Sequence, residues 1–96
     1  MAKAYWISTY HSISDPAGLA EYAKIAGPVI SAAGGRFLAR GIADKAYEAA
    51  VKERTVLVEF DSLEQAVAAY ESAEYQKAVA IVVKAAKRDV RLISAA

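Results

Sequence analysis

The chain predicts an α+β fold in which strands and helices alternate along 96 residues. Three observations carry this reading. Runs rich in aromatic and β-branched residues, Lys3 to His11 and Arg54 to Phe60, read as strands. Leu19, Tyr22, Ala23, Ala26, Ile30 and Ala33 recur with a helical period. Residues that start and stop helices bracket that stripe and a second one. The resulting order is β-α-β-β-α-β. Its commonest solution is a ferredoxin-like sandwich, a four-stranded antiparallel sheet with two helices on one face.

Each element has a local reason. Lys3 to His11 contains Tyr5, Trp6, Ile7, Thr9 and Tyr10, which suit a pleated surface. Asp15 can accept bonds from free helical N–H groups, and Pro16 suits a first helical position, where its missing N–H costs nothing. Gly27-Pro28 predicts a kink rather than a stop, and Gly34-Gly35 predicts the helix end. Arg36 to Arg40 reads as a short strand closed by Gly41. Residues 43–53 admit a loop, a turn of helix or a returning hairpin. Ser62 with Gln65 fits a capping box, with Leu63, Ala66, Val67 and Tyr70 as the stripe that follows. Ser72-Ala73-Glu74 predicts a break and a fresh cap, after which Tyr75, Ala78, Val79, Val82 and Ala86 face inward. Asp89 to Ile93 reads as the last strand.

Length and composition bound the function. Ninety-six residues make one domain, spanning 1–96, with a modest core that a subunit interface would supplement. The 56% hydrophobic content is rich for so short a chain, and disorder is not expected. A net charge of +1 with interspersed signs gives no general pull toward nucleic acid or anionic membrane. With no cysteine, disulfides, thiolate nucleophiles and cysteine-based zinc sites are excluded. One histidine and no tight carboxylate cluster argue against any metal site, and no cofactor motif is present. Gly34-Gly35 follows a helix and precedes a strand, the reverse of a phosphate loop. Lys84, Lys87, Arg88 and Arg91 cluster near a helix C-terminus, where cations complement the helix dipole. The N-terminus lacks an apolar signal core, and the run Ala78 to Val83 is far too short to span a membrane, so a cytoplasmic location is the default expectation.

Alternation puts successive strand side chains on opposite faces. Val56, Val58 and Phe60 share one face of the third strand, and Thr55, Leu57 and Glu59 the other. In the first strand Ala4, Trp6, Ser8 and Tyr10 oppose Tyr5, Ile7, Thr9 and His11. Neither face is plainly solvent-like, and two helices cover only one. A two-fold homodimer pairing sheet against sheet is therefore expected.

These residues bear a family likeness. Ala4-Tyr5-Trp6-Ile7, Asp15-Pro16 with Tyr22 and Pro28, and Gly34-Gly35-Arg36-Phe37-Leu38-Ala39-Arg40-Gly41 form its first part. Arg54, Val56, Glu59-Phe60, Ser62-Leu63-Glu64, Ala66, Tyr70, Ser72 and Glu74-Tyr75-Gln76 form its second. On these the chain resembles the domain-of-unknown-function family 1330, within the dimeric α+β barrel superfamily. The resemblance implies a ferredoxin-like protomer and a homodimer, and no particular reaction. Monooxygenases and isomerases of the superfamily extend it, by analogy of fold alone, to cofactor-independent chemistry. Departures occur where the family usually reads Leu-Glu-Gly-x-Trp, here Tyr47-Glu48-Ala49-Ala50-Val51. Ala69 and Ala73 replace a usual Trp and Pro, and Val79 and Val82 stand where basic residues often follow Tyr75.

Four residues are candidates for a cleft between sheet and helices. His11, the sole side chain with an unperturbed pKa near neutral, can act as a general base, or be an exposed strand-end histidine. Arg40, expected to share a face with Arg36 and Leu38, can clamp a carboxylate, or pair with Glu59 or Glu48. Tyr10 and Glu59 are the candidate substrate contacts. The aromatic content suits a small organic acid or aromatic ligand in such a cleft, although aromatics at helical spacing also build ordinary core. The function expected is small-molecule binding with possible cofactor-independent catalysis. The alternative is a non-catalytic binding or stress-related module.

Overall fold

The computed structural model describes residues 2–96. Strand β1 covers Ala4–Ile13, helix α1 Pro16–Ala32, β2 Arg36–Ile42, β3 Arg54–Phe60, α2 Leu63–Glu71, α3 Ala73–Ala85 and β4 Ala86–Ser94. The strands form one antiparallel sheet in the order β2-β3-β1-β4. This is the expected ferredoxin-like arrangement, with the second helix divided in two.

The caps lie where side-chain chemistry places them. Asp15 Oδ1 accepts from Gly18 N at 3.1 Å, Ser62 Oγ from Gln65 N at 3.2 Å and Ser72 Oγ from Tyr75 N at 3.2 Å. Pro28 stays inside α1 rather than ending it. The helix ends in a Schellman turn. Gly35 N bonds to Ile30 O at 2.9 Å, Gly34 N bonds to Ser31 O at 3.1 Å, and Gly34 has φ +97°. α3 runs into β4 without a loop, and Ala85 O receives both Ser14 N and Asp15 N. That ties the β1–α1 turn to the α3–β4 junction. Residues 43–53 carry no regular structure, and a bond from Ala43 N to Glu53 O at 3.1 Å closes their base.

Alternation sorts the strands into an inner and an outer face. Ala4, Trp6, Ser8 and Tyr10 of β1 and Val56, Val58 and Phe60 of β3 are buried beneath the helices. From the helices, Tyr22, Ala26, Ile30, Ala66, Ala69, Tyr75, Ala78 and Val82 complete the core. Trp6 is its hub: its ring lies 4.9 Å from Tyr75 edge-on, 5.4 Å from Tyr70 and 6.2 Å from Phe60. Leu63, expected inward, is 40% exposed, and Ala69 takes the inward position on α2 instead.

Two bulges correct the simple alternation. The β2–β3 register shifts between Phe37 and Ala39, leaving Leu38 as the extra residue. Arg36 therefore lies opposite Glu59 on the outer face, while Arg40 lies opposite Val56 on the inner one. The expectation that Arg36, Leu38 and Arg40 share a face fails for this reason. A second shift between Tyr10 and Ser12 makes His11 the extra residue of β1.

The helix end packs so closely on the sheet that only glycine fits. A Cβ on Gly35 would meet Ile30 Cγ2 at 2.6 Å and Phe60 Cζ and Val58 Cγ1 at 2.9 Å. Gly35→Ala is expected to lose about 1–3 kcal/mol through overpacking, read as a lowered urea midpoint.

Candidate functional site

A cleft opens between the inner sheet face and α1. Its floor is Trp6 and Ser8, where the indole Nε1 donates to Ser8 Oγ at 2.8 Å. Tyr10, Val56 and Phe37 extend the sheet wall, and Tyr22, Ala23, Ala26, Gly27 and Ile30 form the helical wall. Three arginines complete the lining: Arg40 from β2, Arg54 from β3 and Arg88 from β4. The cleft opens to solvent at its mouth, and its clear interior is well below the volume of a preformed small-molecule site. Only about 30 Å³ of it is already clear, room for a water or two.

The arginines are held by aromatic groups. Arg88 Nη1 donates to Tyr22 Oη at 3.0 Å and more weakly to Tyr10 Oη at 3.5 Å; its Nη2 donates to Tyr75 Oη at 3.0 Å. Tyr22 and Tyr75 share a hydrogen bond of 2.6 Å. The Arg88 guanidinium also lies 4.8 Å from the Tyr22 ring centroid and 5.7 Å from that of Tyr10. The Arg54 guanidinium lies 5.9 Å from the Tyr10 ring centroid, and that of Arg40 lies 4.6 Å from the Phe37 centroid. Among the described residues none of these three guanidiniums pairs with a carboxylate. Buried Arg54 Nε has no acceptor at all.

Burial pushes the Tyr10 and Tyr75 hydroxyls above the ordinary phenol value. Desolvation works against charge on Arg88, but the phenolic oxygens of Tyr22 and Tyr75 outweigh it and hold the guanidinium protonated. Cations and hydrogen-bond donors therefore dominate the lining. It contains no histidine or carboxylate to take up a proton near neutral pH.

The structure divides the four candidate residues from the sequence. Tyr10 and Arg40 line the cleft. Glu59 lies on the outer face, bonded by Arg36 Nε at 3.0 Å and Lys3 Nζ at 3.4 Å; Arg36 also reaches Asp61 at 2.9 Å. The Arg36 bond, opposed by partial burial and aided by Lys3, lowers the Glu59 pKa. His11 bonds Asp89 through Nε2 at 2.7 Å, and Asp89 also accepts from Thr9 Oγ1 at 2.9 Å. Bonds from Thr9 and then His11 hold the Asp89 carboxyl below its usual value. His11 and Glu59 are thus apart from the cleft. Sequence spacing does not single out Arg88, Tyr22 or Ser8 as its partners. A usable signal existed for Arg54, which lies two residues before Val56 on the inward-facing alternation.

A family model described as "Domain of unknown function (DUF1330)" matches residues 3–96. The chain belongs to this family. Curated proteins yield no significant match to this DUF1330 chain. Among solved structures, it resembles a protein of unknown function from Rhodopseudomonas palustris (TM-score 0.70, 20% identity, covering 98% of this chain and 81% of that one). It also resembles a dimeric ferredoxin-like protein of unknown function from Thermobifida fusca (TM-score 0.67, 14% identity, covering 98% and 92%). A third is SnoaB, a cofactor-independent oxygenase from Streptomyces nogalater (TM-score 0.66, 11% identity, covering 100% and 95%). At these identities the likeness is one of fold. No helix among the described residues is long and apolar enough to cross a membrane.

A structural and a ligand-binding role for Arg88 make opposite predictions. Arg88→Met removes a partly buried charge without a counter-ion but leaves the Tyr22–Tyr75 bond in place. Stability is expected to stay within about 1 kcal/mol of wild type or to rise, as at sites where function opposes stability. A urea-midpoint loss worth more than about 2 kcal/mol would mark the guanidinium as a structural brace.

Proposed function

We propose that the protein binds a small organic acid with an apolar or aromatic body in the cleft between sheet and α1. The observation that carries this is three guanidiniums lining one aromatic cleft with no carboxylate to neutralise them. Arginine's planar fork matches a carboxylate, and aromatic walls hold the body of the ligand. Tyr10 supplies a ring face and a hydroxyl, and Arg40 closes the mouth. The ligand enters by displacing Arg40, an exposed side chain stacked on Phe37. Binding rather than acid–base catalysis is the favoured activity of this cleft, since its walls carry no proton acceptor for neutral pH. The cofactor-independent oxygenase fold neighbour motivates a catalytic search, with His11 and its Asp89 partner as the base to test outside the cleft.

Trp6 is the chain's only tryptophan and lies in the cleft floor, so its emission reports occupancy. Saturable change in Trp6 fluorescence on titration with benzoate is expected. Arg40→Ala is expected to weaken binding about 10- to 100-fold, the range for a hydrogen bond to a charged group. His11→Ala is expected to leave affinity unchanged. Affinity is expected to be flat from about pH 6 to 9 for an ionised ligand, because the raised phenols of Tyr10 and Tyr75 and the raised Arg88 guanidinium keep their protons there. It is lost as rising pH crosses the raised phenol values, where the donors become anions. Wild-type emission unaffected by any carboxylate would defeat the reading.

The functional unit in this proposal is a homodimer paired through the outer sheet face. That face carries Tyr5, Ile7, Leu57 and Ile93, apolar groups that no helix covers. A dimeric fold neighbour supports the same pairing. Sedimentation at micromolar concentration is expected to give twice the chain mass, and Leu57→Lys to give a folded monomer. A wild-type monomer would count decisively against the pairing.

A further inference from the structure

We infer that a second site, the groove between α3 and β4, binds a monocarboxylate with an aliphatic body, of the fatty-acid kind, with its chain on the valines and its head group at Lys87. The groove is separate from the arginine cleft, although Arg88 borders both. Its apolar lining is Tyr70 from α2, Val79, Val82 and Val83 from α3, and Val90 from β4. About 330 Å³ of it is clear, inside the roughly 300–1,000 Å³ of small-molecule pockets. The arginine cleft, with about 30 Å³ clear, must open to admit a ligand; this groove is already open.

The aliphatic body follows from the surface that α3 presents. Tyr75, Ala78, Val82 and Ala85 are the buried side of that helix. Val79 and Val83 lie one residue further round, spaced i and i+4, so they form a second apolar strip beside the first. Val83 is 64% exposed. One exposed valine is ordinary. Here it borders a hollow shared with Val79, Tyr70 and Val90, and a joined apolar surface of this kind marks a binding site. Valine side chains offer no hydrogen bond, so the part of the ligand that lies on them is apolar throughout.

The acid head group follows from charge. The titratable groups that line the groove besides Tyr70 are Lys87, Arg88 and His11, and no carboxylate lines it. Asp89 follows Arg88 in the chain, but its oxygens are bonded by Thr9 and His11. Arg88 is engaged by Tyr22 and Tyr75 at 3.0 Å, and His11 Nε2 by Asp89 at 2.7 Å. Lys87 is exposed and makes no ion pair among the described residues. It is the cation left to meet a ligand. A cation beside an aliphatic wall matches an amphipathic anion, whose body leaves water while its head stays charged. A neutral apolar molecule leaves Lys87 unused, and a compact inorganic anion leaves the valines uncovered.

The test titrates the full folded chain by calorimetry with butanoate, octanoate and octanamide at constant ionic strength, with octanoate kept below its micelle concentration. Octanoate is expected to bind about tenfold or more tighter than butanoate, since each buried CH₂ adds to affinity. It is expected to bind about fivefold or more tighter than its neutral isostere octanamide. Lys87→Gln is expected to bring octanoate to the octanamide level. Val83→Glu sets a carboxylate in the groove at an exposed position and is expected to weaken octanoate about tenfold or more. If Val83→Glu loses its circular dichroism signature, Val83→Thr replaces it, and a loss of about threefold is expected. Arg40→Ala, a change in the arginine cleft, is expected to leave octanoate affinity as it is. Equal affinity for octanoate and butanoate overturns the inference, and so does equal affinity for octanoate and octanamide. Loss of octanoate binding in Arg40→Ala but not in Val83→Glu assigns octanoate to the arginine cleft, which overturns the groove and leaves the reading of the cleft standing. A sedimentation mass that falls in Val83→Glu without ligand makes the groove a contact between copies of the chain and overturns the inference as well.

Discussion

The arrangement around the cleft depends on a guanidinium placed among phenols rather than carboxylates. Arg88 has three tyrosine oxygens around it, contributed by β1, α1 and α3. Neutral oxygens accept its hydrogen bonds and reduce the cost of burial. They do not cancel its charge, as a carboxylate would. These oxygens come from three elements that are far apart in sequence, and the rings that carry two of them reach the core: Tyr75 lies edge-on to Trp6, and Tyr22 edge-on to Tyr75. The aromatic core and the positive cleft are therefore one construction. The tyrosine rings fill the interior and their hydroxyls hold the cation.

Charge is sorted by sheet face. On the outer face, acids and bases meet: Arg36 with Glu59 and Asp61, Lys3 with Glu59, His11 with Asp89. On the inner face Arg40, Arg54 and Arg88 lie beside aromatic rings, with no carboxylate partner among the described residues. Three like charges gathered at one cleft repel one another. An anion arriving between them relieves that repulsion. The outer pairs are partly exposed and screened, so they contribute little to stability and leave the face usable as a surface.

A bulge of one residue makes this sorting possible. Without the extra residue at Leu38, Arg36 and Arg40 would fall on the same side of β2. With it, Arg36 serves the outer ion pairs and Arg40 the cleft. The bulge at His11 has a comparable effect. It breaks the alternation after Tyr10 and lets the imidazole meet Asp89 beside Thr9. Both shifts come next to residues of chemical interest, as bulges near functional surfaces often do.

The sequence alone determined the elements and most of their ends. Periodicity identified α1, Asp15, Ser62 and Ser72 identified helix starts, and Gly34-Gly35 identified the end of α1, because each is a local backbone interaction. Alternation in β1 and β3 likewise sorted side chains into two sets, and only helix packing decided which set is inner. The cleft was half legible. Tyr10 and Arg40 could be named from strand position, but Arg54 and Arg88 acquire their meaning from each other and from Tyr10, across β3, β1 and β4. Glu59 and His11 looked equally suitable and fall elsewhere, since strand register and two bulges choose the face. Those choices depend on which strands pair and how the core packs, and no local stretch of sequence contains that information.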